Sequence, residues 1–223
     1  GTSSASNIVE NLAKGILGAG YGLSVNKDGT IRVDLTELPL THFRPSEVLV
    51  DVERLRELGY TKDICGKELK DENQILELKP HDIVIPICPE SLGERIDEFF
   101  VKIAAFIDNL LVRFYGLRPF YNARTRDDLI GQLVVALSPH TSVGVVGRII
   151  GFSSVQALYA HPLMHAALRR DADGDEAALM LLLDCLINFS HYYLPAHRGS
   201  TQDAPLILNA RIKATEVDDM AFD

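Results

Sequence analysis

The sequence predicts an α+β domain, a β core with a helical insertion at roughly residues 91–137. Three observations carry that reading. Segments with the strand period of two are interspersed with segments of helical period. They do not alternate as regular βαβ units, so a doubly wound parallel sheet is not expected. With 223 residues, 47% hydrophobic and 24% charged, the chain can bury a sizeable core.

Taken in order, residues 7–17 read as a short helix closed by Gly18 and Gly20. Residues 21–26 and 30–35 alternate apolar and polar around Asn26-Lys27-Asp28-Gly29, a hairpin signal. Residues 41–45 read as a polar connection and 47–50 as a strand. Asp51 caps a helix to Leu58, with Gly59 past its end. A turn-rich stretch, 63–73, leads to strands over 74–78 and 82–87, with Lys79-Pro80-His81 turning between them. Ser91 and Glu94 have capping-box spacing before a long amphipathic helix to about Tyr115, ended by Gly116. A second helix is expected over 126–137, with Thr125 as cap and Pro139 beyond. Residues 143–152, β-branched and spaced by glycines, read as a strand, with a helix as the alternative. Residues 176–191 read as a helix with Ala177, Met180, Leu181, Asp184 and Ile187 on its apolar face, and 206–212 as a strand. The expected organisation is an N-terminal helix or a segment foreign to the natural chain (1–20), a first part of the β core with a short helix (21–90), the insertion (91–137), and the rest of the core with an acidic loop and its following helix (138–223). Both ends read as cuts in a longer protein.

Composition narrows the function classes. No run approaches the eighteen or so apolar residues of a transmembrane helix, and no signal peptide is visible. Cys65, Cys88 and Cys185 are scattered without a CxxC pair, which argues against a structural zinc and suits a reducing cytoplasm. The net charge of −9 argues against a broad nucleic-acid surface, so such a partner needs a local positive patch or another part of a larger assembly. Absent tryptophan and 7% aromatic residues give no sign of a stacking platform.

The chemistry concentrates in the stretch from His161 to Glu176. Asp171, Asp173 and Asp175 alternate around Gly174, after Arg169 and Arg170. Alternate carboxylates on a tight loop can converge, and convergent carboxylates repel one another unless a hard cation such as Mg²⁺ sits among them. The bland alternative is a solvated acidic turn, since acids are favoured before helices. A calcium EF-hand does not fit, because the glycine is fourth rather than sixth and the twelfth residue is Leu182. Arg169 and Arg170 either contact a phosphate or balance the acidic loop. His140, before a glycine-rich strand, either lines a nucleotide pocket or belongs to a capped turn. His161 and His165 suit packing or hydrogen bonding better than Mg²⁺. Arg148, within an apolar strand, calls for a buried partner or a phosphate. Lys102, Arg113, Arg118, Arg124 and Arg126 gather around the insertion, as a solvated face or a contact with a duplex backbone.

His161-Pro162-Leu163 followed by the aspartate loop resembles the catalytic loop of the largest subunit of multisubunit RNA polymerases, with the same spacing from histidine to last aspartate. A broader resemblance runs from about Asp28 to the end. It is carried by Asp28-Gly29-Thr30-Ile31-Arg32, Pro39-Leu40-Thr41-His42-Phe43-Arg44-Pro45, Leu55-Arg56-Glu57-Leu58-Gly59-Tyr60 and Asp71-Glu72-Asn73-Gln74-Ile75. Further stretches are Phe114-Tyr115-Gly116-Leu117, Pro139-His140-Thr141-Ser142, Gly147-Arg148-Ile149-Ile150-Gly151-Phe152, Ala160-His161-Pro162, Asp173-Gly174-Asp175-Glu176 and Asp203-Ala204-Pro205-Leu206. These are similar to the catalytic region of the large subunit of archaeal family D DNA polymerase.

That resemblance implies a double-psi β-barrel core, the second of two such barrels, and a DNA-directed DNA polymerase. It implies Asp171, Asp173 and Asp175 as ligands of Mg²⁺, with Mn²⁺ as a substitute, for two-metal nucleotidyl transfer. It implies primer-template DNA, deoxynucleoside triphosphates, the remainder of the large subunit, a small subunit with the proofreading nuclease and a sliding clamp as partners, and no membrane. The family commonly has asparagine where this chain has Asp171. Lysines on the other barrel help bind the nucleotide in that family, so this piece alone is expected to be inactive. The rival expectation is a non-catalytic barrel that binds DNA or partner subunits without a working metal site; a weaker one is an RNA-synthesising relative.

Overall fold

Six segments of the chain, most of them largely buried and apolar, form strands that close into a ring. The computed structural model describes residues 12–25, 30–87, 95–139, 143–169, 174–188 and 207–209. The ring strands are β1 (Val33–Pro39), β4 (Asp82–Pro86), β5 (Leu133–Leu137), β6 (Val143–Ser153), β7 (Leu158–Ala160) and β8 (Glu176–Leu181). Their order is β4-β7-β1-β8-β5-β6, and pairing of β4 with β6 closes the barrel. It is a mixed barrel. β1 runs parallel to β7 and β4 parallel to β6, while the other ring pairs are antiparallel. Closure removes the free edges that an open sheet would leave. Leu35, Ile83, Ile85, Val134, Ala136, Ile149, Leu158 and Leu179 belong to the buried core. β9 (Ile207–Asn209) adds in parallel outside β6, and β2 (His42–Phe43) pairs with β3 (Leu76–Glu77) as a separate ribbon.

The helices are α1 (Leu12–Gly20), α2 (Val52–Glu57), α3 (Ile96–Arg113), α4 (Pro162–Ala167) and α5 (Leu182–Asn188). α3 buries Phe100, Ile103, Ala104, Ile107, Leu110 and Leu111, the three-and-four spacing of one helical face. It packs on β4 and on α1. The expected α+β class with a β core is what the structure has.

Several local expectations are corrected. The hairpin over 21–35 does not form among the described residues; 26–29 lie outside them, and 21–25 are not strand. The edges of β1 are taken by β7 and β8, more than a hundred residues away, and the Ile31 N–H donates to buried Asp184 at 2.7 Å. Residues 47–50 are not a strand. A 3₁₀ turn spans Pro45–Glu47, and Leu49 adopts φ +54°. That turn presses on β6 at Gly151, where an added Cβ would lie 2.5 Å from the Val48 carbonyl oxygen.

Thr125 does begin a turn, closed by its N–H and that of Arg124 donating to Asp128 at 2.9 Å each, but the turn is one 3₁₀ turn, Arg126–Leu129. β5 follows where the second helix was expected, so a barrel strand lies inside the span assigned to the insertion. The helix expected from 176 begins only at Leu182, because 176–181 form β8. Both errors have one cause. Val135, Leu137, Met180 and Cys185 form a second apolar cluster, joined by Ala178 and Leu182, on the side of β5 and β8 away from the main core. Strands buried on both faces lose the alternation that marks a strand. Ser91 and Glu94 lie outside the described residues.

Candidate functional site

The acidic loop hangs between α4 and β8, and the local sequence fixes both ends. His161 precedes α4 in extended backbone, and its Nδ1 accepts the Leu163 N–H at 3.1 Å. Pro162 fills the first helical position, where its fixed φ suits the helix and no N–H is needed. Burial pulls the His161 imidazole below its ordinary pKa. One turn on, His165 is 2% exposed and its Nδ1 lies 3.2 Å from Oε2 of Glu37, which is 0% exposed. Burial pulls the His165 imidazole down, but the hydrogen bond and charge of Glu37, together with the Leu38 and Ala160 backbone, outweigh it and the net shift is upward. Glu37 Oε1 has no hydrogen-bond partner among the described residues.

Beyond α4 the Leu168 carbonyl accepts the buried Ser138 hydroxyl at 2.8 Å, and Arg169 turns into left-handed backbone at φ +58° with its side chain exposed. Ser138 follows β5, so this bond brings the segment leading to His140 against the entrance of the acidic loop. At the exit, Gly174 adopts φ +100°, a conformation open to glycine at little cost. The Asp175 carbonyl then accepts the Glu37 N–H at 2.8 Å. One residue of β1 therefore holds both flanks of the loop, the entrance helix through its carboxylate and the exit through its backbone.

The neighbourhood is rich in carboxylates. Desolvation and the charge of Glu176 push the Asp34 carboxyl above its ordinary pKa. Of the expected site residues, Asp175 and Arg169 are described; Asp171, Asp173, Arg170 and His140 lie outside the described residues. Among the described residues there is no group of three or more His, Cys, Asp or Glu able to hold a metal.

Arg148 finds the buried partner its sequence context demanded. Its Nε and Nη2 donate to the two oxygens of Asp82 at 2.7 and 2.8 Å, and Asp82 is 0% exposed. The Tyr60 hydroxyl also donates to Asp82; burial first, and then that carboxylate, push the phenol up. Glu37 is the residue sequence reasoning missed. Its signal was parity: Val33, Leu35 and Glu37 share one side of β1, which places a carboxylate on the side of buried Leu35.

The whole of the chain, residues 1–223, matches a family of polymerase catalytic domains. The family is DNA polymerase II large subunit DP2, catalytic domain, and the chain belongs to it. It is 56% identical over 218 residues to the DNA polymerase II large subunit of Archaeoglobus fulgidus, covering 98% of this chain and 18% of that protein. It is 54% identical over 219 residues to that of Methanothermobacter thermautotrophicus, covering 98% and 19%. With the Pyrococcus furiosus protein it shares 53% over 218 residues, covering 98% and 17%. The chain spans less than a fifth of the length of these relatives. Among the described residues no helix is long and apolar enough to cross a membrane.

Proposed function

We propose that this domain carries the metal-holding carboxylates of a DNA-directed DNA polymerase, with Asp171, Asp173 and Asp175 as ligands of Mg²⁺, or of Mn²⁺ in its place. The observation that carries the reading is the double hold of Glu37 on the loop, with Gly174 turning the chain immediately before Asp175. An all-oxygen, all-carboxylate set suits a hard divalent ion and not zinc. Bound there, the ions supply activation of a primer 3′-hydroxyl and charge neutralisation on the triphosphate. The chain's own residues do the rest by positioning. Glu37 and His165 fix the loop's flanks, and the exposed Arg169 guanidinium stands beside the loop, where it offers a bidentate donor to a phosphate. Arg170 and His140 are proposed to bind substrate alongside it.

The substrates are primer-template DNA and deoxynucleoside triphosphates. The partners are the remainder of the large subunit, a small subunit and a sliding clamp, acting in the cytoplasm. The decisive experiment uses the full large subunit with its small subunit, comparing wild type with Asp173→Asn/Asp175→Asn. Mn²⁺ titration by calorimetry should lose its high-affinity phase in the variant, and primer extension should fall by orders of magnitude while DNA binding persists. Indistinguishable Mn²⁺ titrations would leave a barrel that only binds DNA or subunits.

A further inference from the structure

From the last turn of α3 to the first residue of the 3₁₀ turn, residues 109–126 carry four arginines between flanking Asp108 and Asp127, in a chain of net charge −9. The same stretch exposes Val112, Phe114, Tyr115, Leu117 and Phe120, at 47%, 41%, 44%, 59% and 60%. Composition alone gave no stacking platform; the fold leaves Phe114, Tyr115 and Phe120 exposed on the same segment of chain that carries Arg113, Arg118 and Arg124.

This strap is held, not slack. Gly116 at φ +66° closes α3, and the Leu117 N–H returns to the Leu111 carbonyl at 2.9 Å. Asp108 accepts the backbone N–H groups of Phe120, Tyr121 and Asn122 at 2.7, 2.9 and 2.7 Å. Buried Tyr121 anchors the strap to α5, its hydroxyl accepting the Leu183 N–H at 3.3 Å. The rings form two edge-to-face pairs, Phe114 with Tyr115 at 4.9 Å and Phe120 with Tyr121 at 5.0 Å between centroids. A preordered strap loses little entropy when it takes a ligand.

The charges select the ligand. Arg95 and Arg126 lie against carboxylates already, on Asp97 at 2.7 and 4.0 Å. Arg113, Arg118 and Arg124 have no side-chain ion pair within 4.0 Å among the described residues. Exposed aromatics with arginine would also suit a protein interface. Arg113 and Arg118 without an ion pair, and Arg124 with only the more distant charge of Asp128, favour a polyanion instead, and a polyanion with stackable faces is a single-stranded nucleic acid. We propose that the strap is a binding site for single-stranded nucleic acid, with Phe114, Tyr115 and Phe120 stacking on bases and Arg113, Arg118 and Arg124 on the phosphodiester backbone. It rests on the reading above only in naming that strand as unpaired template.

The test uses the full large subunit with its small subunit, titrated with a labelled oligo-dT by fluorescence anisotropy across salt concentrations, in EDTA. Arg113→Gln/Arg118→Gln/Arg124→Gln should lower the slope of log affinity against log salt by about 2, from about 0.7 per phosphate contact. Phe120→Leu should weaken binding roughly fivefold to 150-fold at every salt concentration, and Phe120→Tyr should retain it. Wild-type affinity and slope in the arginine and leucine variants overturn the proposal. So does unchanged affinity with loss of the small subunit or a lowered Tm, which would make the strap a protein interface. The arginines are exposed, so those variants report even where an aromatic variant folds poorly. EDTA separates the two proposals: the strap can fail here while the aspartates still titrate Mn²⁺, and the reverse.

Discussion

Glu37→Gln keeps the side chain's shape and removes its charge from beneath the acidic loop. Glu37 and His165 are 0% and 2% exposed and 3.2 Å apart, so neither charge is screened by water. Breaking a buried pair by removing one partner costs about 3–5 kcal/mol. Glu37 Oε1 already lacks a partner among the described residues, which places this case near the lower end, about 3 kcal/mol. At about 2–4 °C per kcal/mol for a chain of this size, Tm should fall by about 6–12 °C. Removing both charges, as Glu37→Leu/His165→Leu, should cost less than either single leucine change, because neither leaves a charge stranded. The pH dependence has a definite sign. The folded His165 pKa is raised above its ordinary 6.5, so the pair's contribution is fully present below that pH and is lost as pH rises through the raised folded value. The gap in stability between wild type and Glu37→Gln should therefore be widest below that ordinary value and narrow as pH rises through the raised folded one. Urea unfolding followed by circular dichroism, at a series of pH values, measures both. Additive leucine variants, within about 0.5 kcal/mol, would refute the coupled pair; so would a gap that widens with pH.

Two further changes probe the barrel. Gly151→Ala would drive a Cβ to 2.5 Å from the Val48 oxygen, which accepts the Phe152 N–H at 2.9 Å, and should cost about 2–4 kcal/mol through overpacking and loss of that bond, read as a shifted denaturant midpoint at unchanged m. Arg148→Met should cost about 3 kcal/mol by leaving buried Asp82 with Tyr60 and His81 but without its guanidinium, and adding Asp82→Leu should recover part of the loss in a double-mutant cycle.

The class of fold was legible because polar and apolar residues alternate where strands face solvent on one side. It failed locally where that contrast vanishes. Ala177, Leu179, Met180 and Leu181 are all 0% exposed, so nothing in their order separates a strand from a helix until α5 covers the outer face. Residues 33–39 pair with distant partners and not with 21–25, since the register of β1 is set by β7 and β8. Around the candidate site, the turn at Gly174 and the need of Arg148 for a partner could be read directly. The support of the loop could not, because Glu37 and His165 are 128 positions apart and only the closed barrel brings them together.

Barrel closure also has a consequence in time. Glu37 of β1 pairs with Leu158 of β7, about 120 residues later, and Val33 pairs with Leu179. At about 5–20 residues per second, β1 emerges roughly 6–24 s before its first partner exists. During synthesis it is an orphan strand, open to neighbouring chains. Its sequence, VDLTELP, carries Asp34 and Glu37 and ends on Pro39, which lacks a donor. Charges and a proline are what discourage such a strand from pairing out of turn. The carboxylate that later holds the entrance helix through His165 thus also helps keep the nascent chain apart from its neighbours.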